Sequence, residues 1–206
     1  MIIKFDGIDG CGKTTLAESV AQHLSKRGHL VASVAEFSSP SEYRPGSLKP
    51  VPVAAMKVRE AALDPEFGCD DIERQLLLHF LSRRKNRVEI PYLDQYADVV
   101  IVDRSTLSNY AYSAALTPEL TQLSDLAISD VERADMIFWI DTPIAVCTSR
   151  ISRRSVDAVE RKGSGYLARV RDAFENRARV SANVQILDGR LDASLLVEHV
   201  VSLIWP

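Results

Sequence analysis

Short apolar stretches alternate along the chain with longer amphipathic stretches, and this alternation predicts an α/β fold. Five apolar segments have the length of buried strands: Ile2–Asp6, Leu30–Phe37, Val99–Val102, Met136–Ile140 and Val184–Leu187. The third reads Val-Val-Ile-Val, which is typical of a parallel strand covered on both faces. Strands of this kind separated by helices predict a parallel sheet with right-handed crossovers and helices on both faces.

Helical spacing of apolar residues fills the intervals between these strands. The predicted helices are Lys13–Arg27, Ala54–Leu63, Asp70–Tyr96, Leu107–Leu116, Pro118–Arg133, Pro143–Arg153, Tyr166–Ser181 and Ala193–Ile204. Gly28 suits a left-handed cap after the first helix, and Pro91 predicts a bend in the long third one. The Ser- and Pro-rich segment Ser38–Pro52 predicts a loop. No repeat or linker divides the chain, so we predict one domain over residues 1–206.

Composition and charge narrow the class of protein. The net charge of −3 leaves no basic surplus that would favour a nucleic-acid partner. Three scattered cysteines are too few for a disulfide framework or a zinc site. No apolar run approaches the ~20 residues that span a bilayer, and a motif that begins at residue 7 leads us to expect no leader segment. We therefore expect a soluble cytoplasmic protein without a membrane partner.

The strongest motif lies directly after the first predicted strand. Residues 7–14 read GIDGCGKT, which fits the G-x-x-x-x-G-K-[ST] phosphate-binding loop in its strand–loop–helix context. Glycines let the backbone fold around a phosphate, and the following helix directs its positive end to the same anion. Lys13 can reach the terminal phosphates and Thr14 can place a hydroxyl on Mg²⁺, whereas the Cys11 side chain is expected to point away. The residues predicted to bind ATP here are Gly7, Asp9, Gly10, Cys11, Gly12, Lys13, Thr14 and Thr15.

In a parallel sheet, ligands lie beyond the carboxyl ends of the strands. The third predicted strand ends at Asp103 and Arg104. The Asp103 carboxylate can hold Mg²⁺ opposite Thr14, or it can be an ordinary carboxylate at a helix N-terminus. The Arg104 guanidinium suits a grip on a phosphate, or a salt bridge to Asp103 or another neighbour.

Two further sets of side chains are weaker indicators. Phe80 and Arg84 lie four residues apart on one helix face, where a ring and a guanidinium could bind a base, although an aromatic at helical spacing is more often core. Arg150, Arg153 and Arg154 run into a flexible segment, so they form either a flap over a transferring phosphoryl group or a solvated helix end.

These motifs, in this order, resemble the thymidylate kinase family of nucleoside monophosphate kinases. Residues 5–15 (FDGIDGCGKTT) resemble the family's F-x-G-x-D-G-x-G-K-T-T, and residues 103–112 (DRSTLSNYAY) resemble its D-R-Y-x-x-S-x-x-A-Y. Phe80 and Arg84 fall on its F-x-x-x-R, and residues 140–143 on its L-D-x-P. The resemblance runs nearly from end to end.

The resemblance implies a P-loop NTPase-type three-layer αβα fold with a five-stranded parallel sheet, a lid over about residues 153–164, and a homodimer. It also implies transfer of the γ-phosphoryl group of ATP to dTMP, with Mg²⁺ as cofactor. Thr14 and Asp103 would hold the metal, and Arg150 would pack on adenine. Phe80 would stack on thymine, and Arg84 would bind the base edge. The residues implied for the acceptor are Asp9, Phe37, Pro40, Phe80, Arg84, Arg104, Ser108, Asn109 and Tyr112.

The transfer also needs an arginine near the reacting phosphates. Some members of the family carry it inside the phosphate loop, where this chain has Gly10. The alternative source is the lid, so we predict a lid arginine at Arg153 or Arg154. The complete set of predicted catalytic residues is Lys13, Asp9, Arg104, Arg153 and Arg154.

The chain departs from the family pattern at three places. The second strand ends in FSSP at residues 37–40 instead of R-E-P-G-G, Ser105 replaces tyrosine, and the lid reads DAVE at 157–160 instead of D-R-I-E. These departures leave open another acceptor, such as a modified pyrimidine nucleotide or a deoxynucleoside. A different class of protein, a non-catalytic module that uses ATP as a switch, also stays open.

Overall fold

The computed structural model describes residues 1–34, 53–128, 133–153 and 157–205. One parallel sheet contains β1 (Ile2–Asp6), β2 (Val31–Val34), β3 (Val99–Asp103), β4 (Met136–Asp141) and β5 (Val184–Asp188). Its strand order is β2-β3-β1-β4-β5, which confirms the predicted five-stranded parallel sheet. The predicted second strand runs past residue 34, so its end and the predicted loop Ser38–Pro52 lie outside the described residues.

Helices flank this sheet, and their boundaries lie within a few residues of the predicted ones wherever the chain is described. They are α1 (Lys13–Lys26), α2 (Val53–Leu63), α3 (Asp71–Arg84), α4 (Ile90–Leu93), α5 (Thr106–Ala114), α6 (Pro118–Ile128), α7 (Ile144–Ile151), α8 (Gly163–Ala178) and α9 (Ala193–Ile204). A π-helical turn, Lys85–Glu89, joins α3 to α4 just before Pro91, and a 3₁₀ turn, Glu160–Lys162, precedes α8. Of the helices within the described ranges, none is long and apolar enough to cross a bilayer.

The two faces of the sheet carry different chemistry, because alternate residues of a strand point to opposite sides. Phe5 and Ile3 of β1 join the main hydrophobic core, in which Trp139 of β4 stacks on Phe174 of α8. Lys4 points to the other side, where its ammonium is buried and donates to Asn86 Oδ1 at 2.6 Å. The second face therefore requires a polar partner.

The π-helical turn after α3 supplies this partner through Asn86, while part of the apolar spacing of α3 is exposed. Ile72, Leu76 and Phe80 are 46%, 43% and 60% exposed. Apart from Leu81, the buried side chains of α3 and the π-helical turn are polar: Arg74, Gln75, His79, Ser82, Lys85, Asn86 and Glu89. The helix was correctly predicted from its apolar spacing, of which Leu81 is buried whereas Ile72, Leu76 and Phe80 are exposed.

Candidate active site

The loop after β1 has the backbone geometry of an anion-binding turn. Gly7, Gly10 and Gly12 all have positive φ, and a Cβ on Gly10 would lie 2.5 Å from the Cys147 carbonyl oxygen. Helix α1 begins directly after the loop, at Lys13, so its positive end faces any bound anion. The Cys11 side chain is buried in the hydrophobic core, as expected.

Two arginines bind the outer side of this loop through its carbonyl oxygens. Arg104 donates from Nη1 to the Gly7 carbonyl at 3.1 Å. Arg150 donates from Nη1 to the carbonyls of Gly10 and Cys11 at 3.0 and 3.1 Å. With these carbonyls engaged, the loop is held in shape before any nucleotide binds.

One carboxylate, Asp9, holds two cations at the mouth of the loop. Its Oδ1 lies 3.5 Å from Lys13 Nζ and forms an ion pair with Arg104 Nη2. Its Oδ2 accepts a hydrogen bond from the Tyr112 hydroxyl at 2.7 Å. Lys13, Arg104 and Tyr112 are all at least nine-tenths buried, so a ligand phosphate would meet a concentrated and poorly hydrated positive charge.

Arg104 adopts an unusual backbone conformation to reach this position. Its φ of 65° makes it the one non-glycine residue with positive φ in the described ranges, at a cost of about 1–3 kcal/mol. Lys85 stabilises the turn, since its Nζ donates to the carbonyls of Asp103 and Arg104 at 2.9 and 3.1 Å. The strain is confined to a residue at the centre of the site, as is common for functional groups.

The replacement of tyrosine by Ser105 has a local explanation. The Ser105 side chain caps α5 by accepting from the Leu107 N–H at 2.9 Å, and its hydroxyl also donates to Asp6. Ser108 donates to the other Asp6 oxygen. Burial raises the pKa of Asp6, although these serine hydrogen bonds and the charge of Arg104 act in the opposite direction. Ser105 thus anchors the start of α5 beneath Arg104.

Thr14 and Asp103 together suit a hard divalent cation. Thr14 Oγ1 donates to Asp103 Oδ2 at 2.7 Å. The second oxygen, Asp103 Oδ1, is buried and has no hydrogen-bond partner among the described residues. A hydroxyl and a carboxylate are oxygen ligands of the type that Mg²⁺ prefers, and the unpartnered oxygen is therefore consistent with a metal site.

A main cavity of about 330 Å³ opens in front of these groups. The predicted residues that line it are Asp9, Lys13, Thr14, Asp103, Arg104, Ser108, Asn109 and Tyr112. Sequence reasoning missed Arg59, Leu63, Gln75, Leu78, Ser82, Lys85, Asp157, Val159 and Glu160. Four of these, Gln75, Leu78, Ser82 and Lys85, follow the helical spacing of one face, and this spacing was the available signal.

The structure does not bring Phe80 and Arg84, the predicted base-binding residues, into the main cavity. Phe80 is 60% exposed on the outward face of α3, so it is not part of the core. Arg84 forms an ion pair with Glu89 of the π-helical turn. The orientation that buries Ser82 and Lys85 places Phe80 and Arg84 outside the main cavity.

The remaining predicted residues lie elsewhere. Phe37, Pro40 and Arg154 lie outside the described residues. Arg153 is exposed just beyond α7 and does not line either cavity discussed here. Arg150 lines a second cavity of about 510 Å³, on the other side of the phosphate loop, together with Thr15.

The described part of the predicted lid lies against α2 and α3. The Ala158 N–H donates to the Leu63 carbonyl at 3.2 Å, and Arg161 pairs with Glu66 at 3.0 Å. Lys162 forms an ion pair with Asp71 at the start of α3. Val159 and Glu160 are thereby placed in the wall of the main cavity.

Comparison with known proteins points to one family. The family model for thymidylate kinase matches residues 52–204. A thymidylate kinase of Thermosipho africanus is 28% identical over 99% of this chain and 97% of its own length. A thymidylate kinase of Fervidobacterium nodosum is 29% identical over 92% of this chain and 90% of its own. A probable thymidylate kinase 1 of Saccharolobus solfataricus is 28% identical over 98% and 96%.

Proposed function

The chain belongs to the thymidylate kinase family, and we propose that it transfers the γ-phosphoryl group of ATP to dTMP, giving dTDP and ADP. The observation that carries the proposal is the main cavity, in which the phosphate loop faces the Asp9–Arg104–Tyr112 cluster. A nucleotide on the loop and a second phosphate on Arg104 would meet in this space. The arrangement therefore supports phosphoryl transfer between two nucleotides.

The donor nucleotide would lie across the loop. Lys13 and the N–H groups at the start of α1 would hold the ATP phosphates. The second cavity, bounded by Arg150 and by Arg190 and Leu191 after β5, would hold adenine. Arg150 would then have two roles, since it also binds the carbonyls of Gly10 and Cys11.

The acceptor would place its phosphate on Arg104. An oxygen of that phosphate attacks the γ-phosphorus, the bond from the γ-phosphorus to its bridging oxygen breaks, and ADP leaves with that oxygen. Asp9 neutralises Lys13 and Arg104 while the site holds no phosphate. When phosphates take over this role, Asp9 is available to bind the acceptor sugar or the metal.

Mg²⁺ is the cofactor that fits this site, with Thr14 and Asp103 as the residues that would hold it. The ion supplies charge neutralisation on the transferred phosphoryl group.

The additional positive charge for the transfer would come from the lid. Gly10 cannot supply it, because its φ is 79° and any Cβ would press on the Cys147 carbonyl. The remaining candidates, Arg153 and Arg154, follow α7 at the start of the lid. We assign one of them to the γ-phosphoryl group.

A homodimer in the cytoplasm completes the proposal. Helices α3 and α6 pack against each other. Their outward faces carry a group of exposed apolar side chains: Ile72, Leu76, Phe80, Leu123 and Leu126. Exposed apolar groups of this kind mark association surfaces. A second copy of the chain would cover them.

A coupled ADP-release assay with Mg-ATP tests the activity. The acceptor panel is dTMP, dUMP, UMP, dCMP, CMP, AMP, GMP, thymidine and no acceptor. We expect a strong preference for dTMP. Activity only with another nucleotide would contradict the acceptor, and ATP binding without any phosphorylated acceptor would contradict the kinase.

A further inference from the structure

The wall that α3 contributes to the main cavity changes character along the helix. Lys85 and Ser82 lie near the phosphate-binding groups, since Lys85 binds the Arg104 carbonyl and Ser82 Oγ donates to Asn109 Oδ1 at 2.7 Å. Leu78 and Gln75 follow toward the start of the helix. Gln75 lies seven residues, or about 10 Å, from Ser82 along the helix axis. This distance suits the far end of a nucleoside monophosphate whose phosphate lies on Arg104.

Beyond the phosphate-binding groups, the cavity is lined by aliphatic side chains of α2, α3 and the lid, by Gln75, and by the charged residues Arg59, Asp157 and Glu160. Leu63 at the end of α2 and Val159 of the lid meet there through the bond from the Ala158 N–H to the Leu63 carbonyl. Leu78 adds an aliphatic surface from α3. Aliphatic side chains can pack on both flat faces of a base, but they cannot recognise the polar atoms at its edge.

Gln75 is the polar group that α3 contributes beside Leu78. Its side chain is 95% buried, because only 5% is exposed, and it lines the cavity. No partner in the described ranges forms a hydrogen bond with its carboxamide. A carboxamide that lines the cavity without a protein partner leaves both its N–H donor and its carbonyl acceptor available to a ligand.

We infer that Gln75 is a specificity-determining residue that reads the edge of the acceptor base, an inference that rests on the proposed kinase function. Its amide N–H would donate to O4 of thymine or uracil, and its carbonyl would accept from N3–H. A cytosine edge reverses this donor and acceptor pattern. Preference for dTMP over dCMP therefore requires the amide N–H to face O4, and the ratio of activities with the two acceptors measures whether it does.

The test compares Gln75→Met with the wild-type protein and with Gln22→Met, the same change at an exposed position of α1. Methionine keeps the length of the side chain and removes both polar groups. We expect kcat/KM for dTMP to fall about 10–100-fold, while the KM for ATP is unchanged. The ratio of kcat/KM values for dTMP and dCMP should approach one. Gln22→Met should match the wild type.

Stability separates this role from a structural one. Because Gln75 has no hydrogen-bond partner in the described ranges, Gln75→Met should leave the melting temperature of the free protein unchanged or raised, and it should reduce the stabilisation by dTMP in line with the weaker binding. An unchanged dTMP-to-dCMP ratio and equal dTMP affinity by calorimetry would overturn the assignment. Wild-type protein that binds dTMP but phosphorylates no acceptor would instead contradict the proposed activity, and calorimetry on the same variants would still decide the role of Gln75.

Discussion

The two ends of the main cavity differ in the kind of side chain that lines them. At the phosphate end, Lys13 and Arg104 are buried around one carboxylate, and their backbone comes from a loop and a strained turn. At the far end, a regular helix presents Gln75 and Leu78. Phosphates differ little between nucleotides, whereas bases differ in shape and in the pattern of donors and acceptors. On the proposed assignment of Gln75, this fold separates the binding of the phosphates that all substrates share from the recognition of the base that distinguishes them.

Lys13→Ala should produce the largest loss and confirm that the phosphate end carries the chemistry. Phosphoryl transfer depends mainly on positioning and charge stabilisation, so we expect kcat/KM to fall by about 10³-fold or more. The coupled ADP-release assay measures this. Lys26→Ala, at the exposed end of the same helix, should retain wild-type activity. Near-normal activity of Lys13→Ala would show that the reaction does not use the loop.

Arg104→Ala should remove the proposed phosphate contact at one end of the cavity and leave the other end unchanged. Loss of a charge-assisted grip should weaken dTMP binding by about 10–100-fold, but thymidine, which has no phosphate, should bind almost as before. Calorimetry with both ligands gives the two affinities. Arg177→Ala, which removes a half-exposed guanidinium paired with Asp125 on the protein surface, is the matched control. Equal loss for dTMP and thymidine would disprove the phosphate grip.

Phe80→Ser sharpens the boundary of the far end. Because Phe80 lies on the outward face of α3, we expect kcat/KM for dTMP to stay within about threefold. The dissociation constant of the proposed dimer should rise, which sedimentation equilibrium detects. Leu30→Ser, at a similarly exposed apolar residue outside the α3–α6 face, should leave association unchanged. A large loss of dTMP affinity without dissociation would return Phe80 to the base site.

His79 gives the smallest expected effect, on stability alone. Burial lowers the pKa of His79 below its ordinary value of 6.5. Just below pH 6.5, His79 is therefore protonated in the unfolded chain but still neutral in the folded chain. His79 should therefore not reduce the free energy of unfolding above pH 6.5. As the pH falls from 6.5 toward the lowered pKa of His79, the free energy of unfolding should decrease. Urea unfolding between pH 8 and pH 5 measures the slope.

His79→Gln should reduce this slope, because glutamine can still pair with Ser113, the hydrogen-bond partner of His79 at 3.1 Å, without titrating. The exposed His199 of α9 provides the matched variant, His199→Gln, which should keep the wild-type slope. A steeper fall for His79→Gln than for the wild type would reverse the assignment.

The phosphate loop was predictable residue by residue because its chemistry is local. Glycines with positive φ, a lysine and a threonine within eight residues determine both the turn and the anion site, whatever surrounds them. Asp103 and Arg104 were predictable for a related reason, since the end of a buried parallel strand has a known place in the sheet. The structure places Lys13, Thr14, Asp103 and Arg104 around one cavity.

The far end was not predictable in the same way, because a helix has two faces and the sequence alone does not determine which of them points inward. The apolar stripe containing Ile72, Leu76 and Phe80 favoured burial, yet these residues are exposed. Lys4 of β1 and Asn109 of α5 require polar partners, and Asn86 and Ser82 of the same helical segment supply them. These long-range contacts favour the orientation in which the polar face of α3 points inward.

The sequence by itself determined the order of strands and helices, the anion-binding loop and the family resemblance, because these depend on local periodicity and contiguous motifs. Only the tertiary structure decided that Gln75 and Leu78, and not Phe80 and Arg84, line the main cavity. The physical reason is that buried polar groups must be paired. The pairs Lys4–Asn86 and Ser82–Asn109 join residues 82 and 27 positions apart, a relation that no local pattern contains.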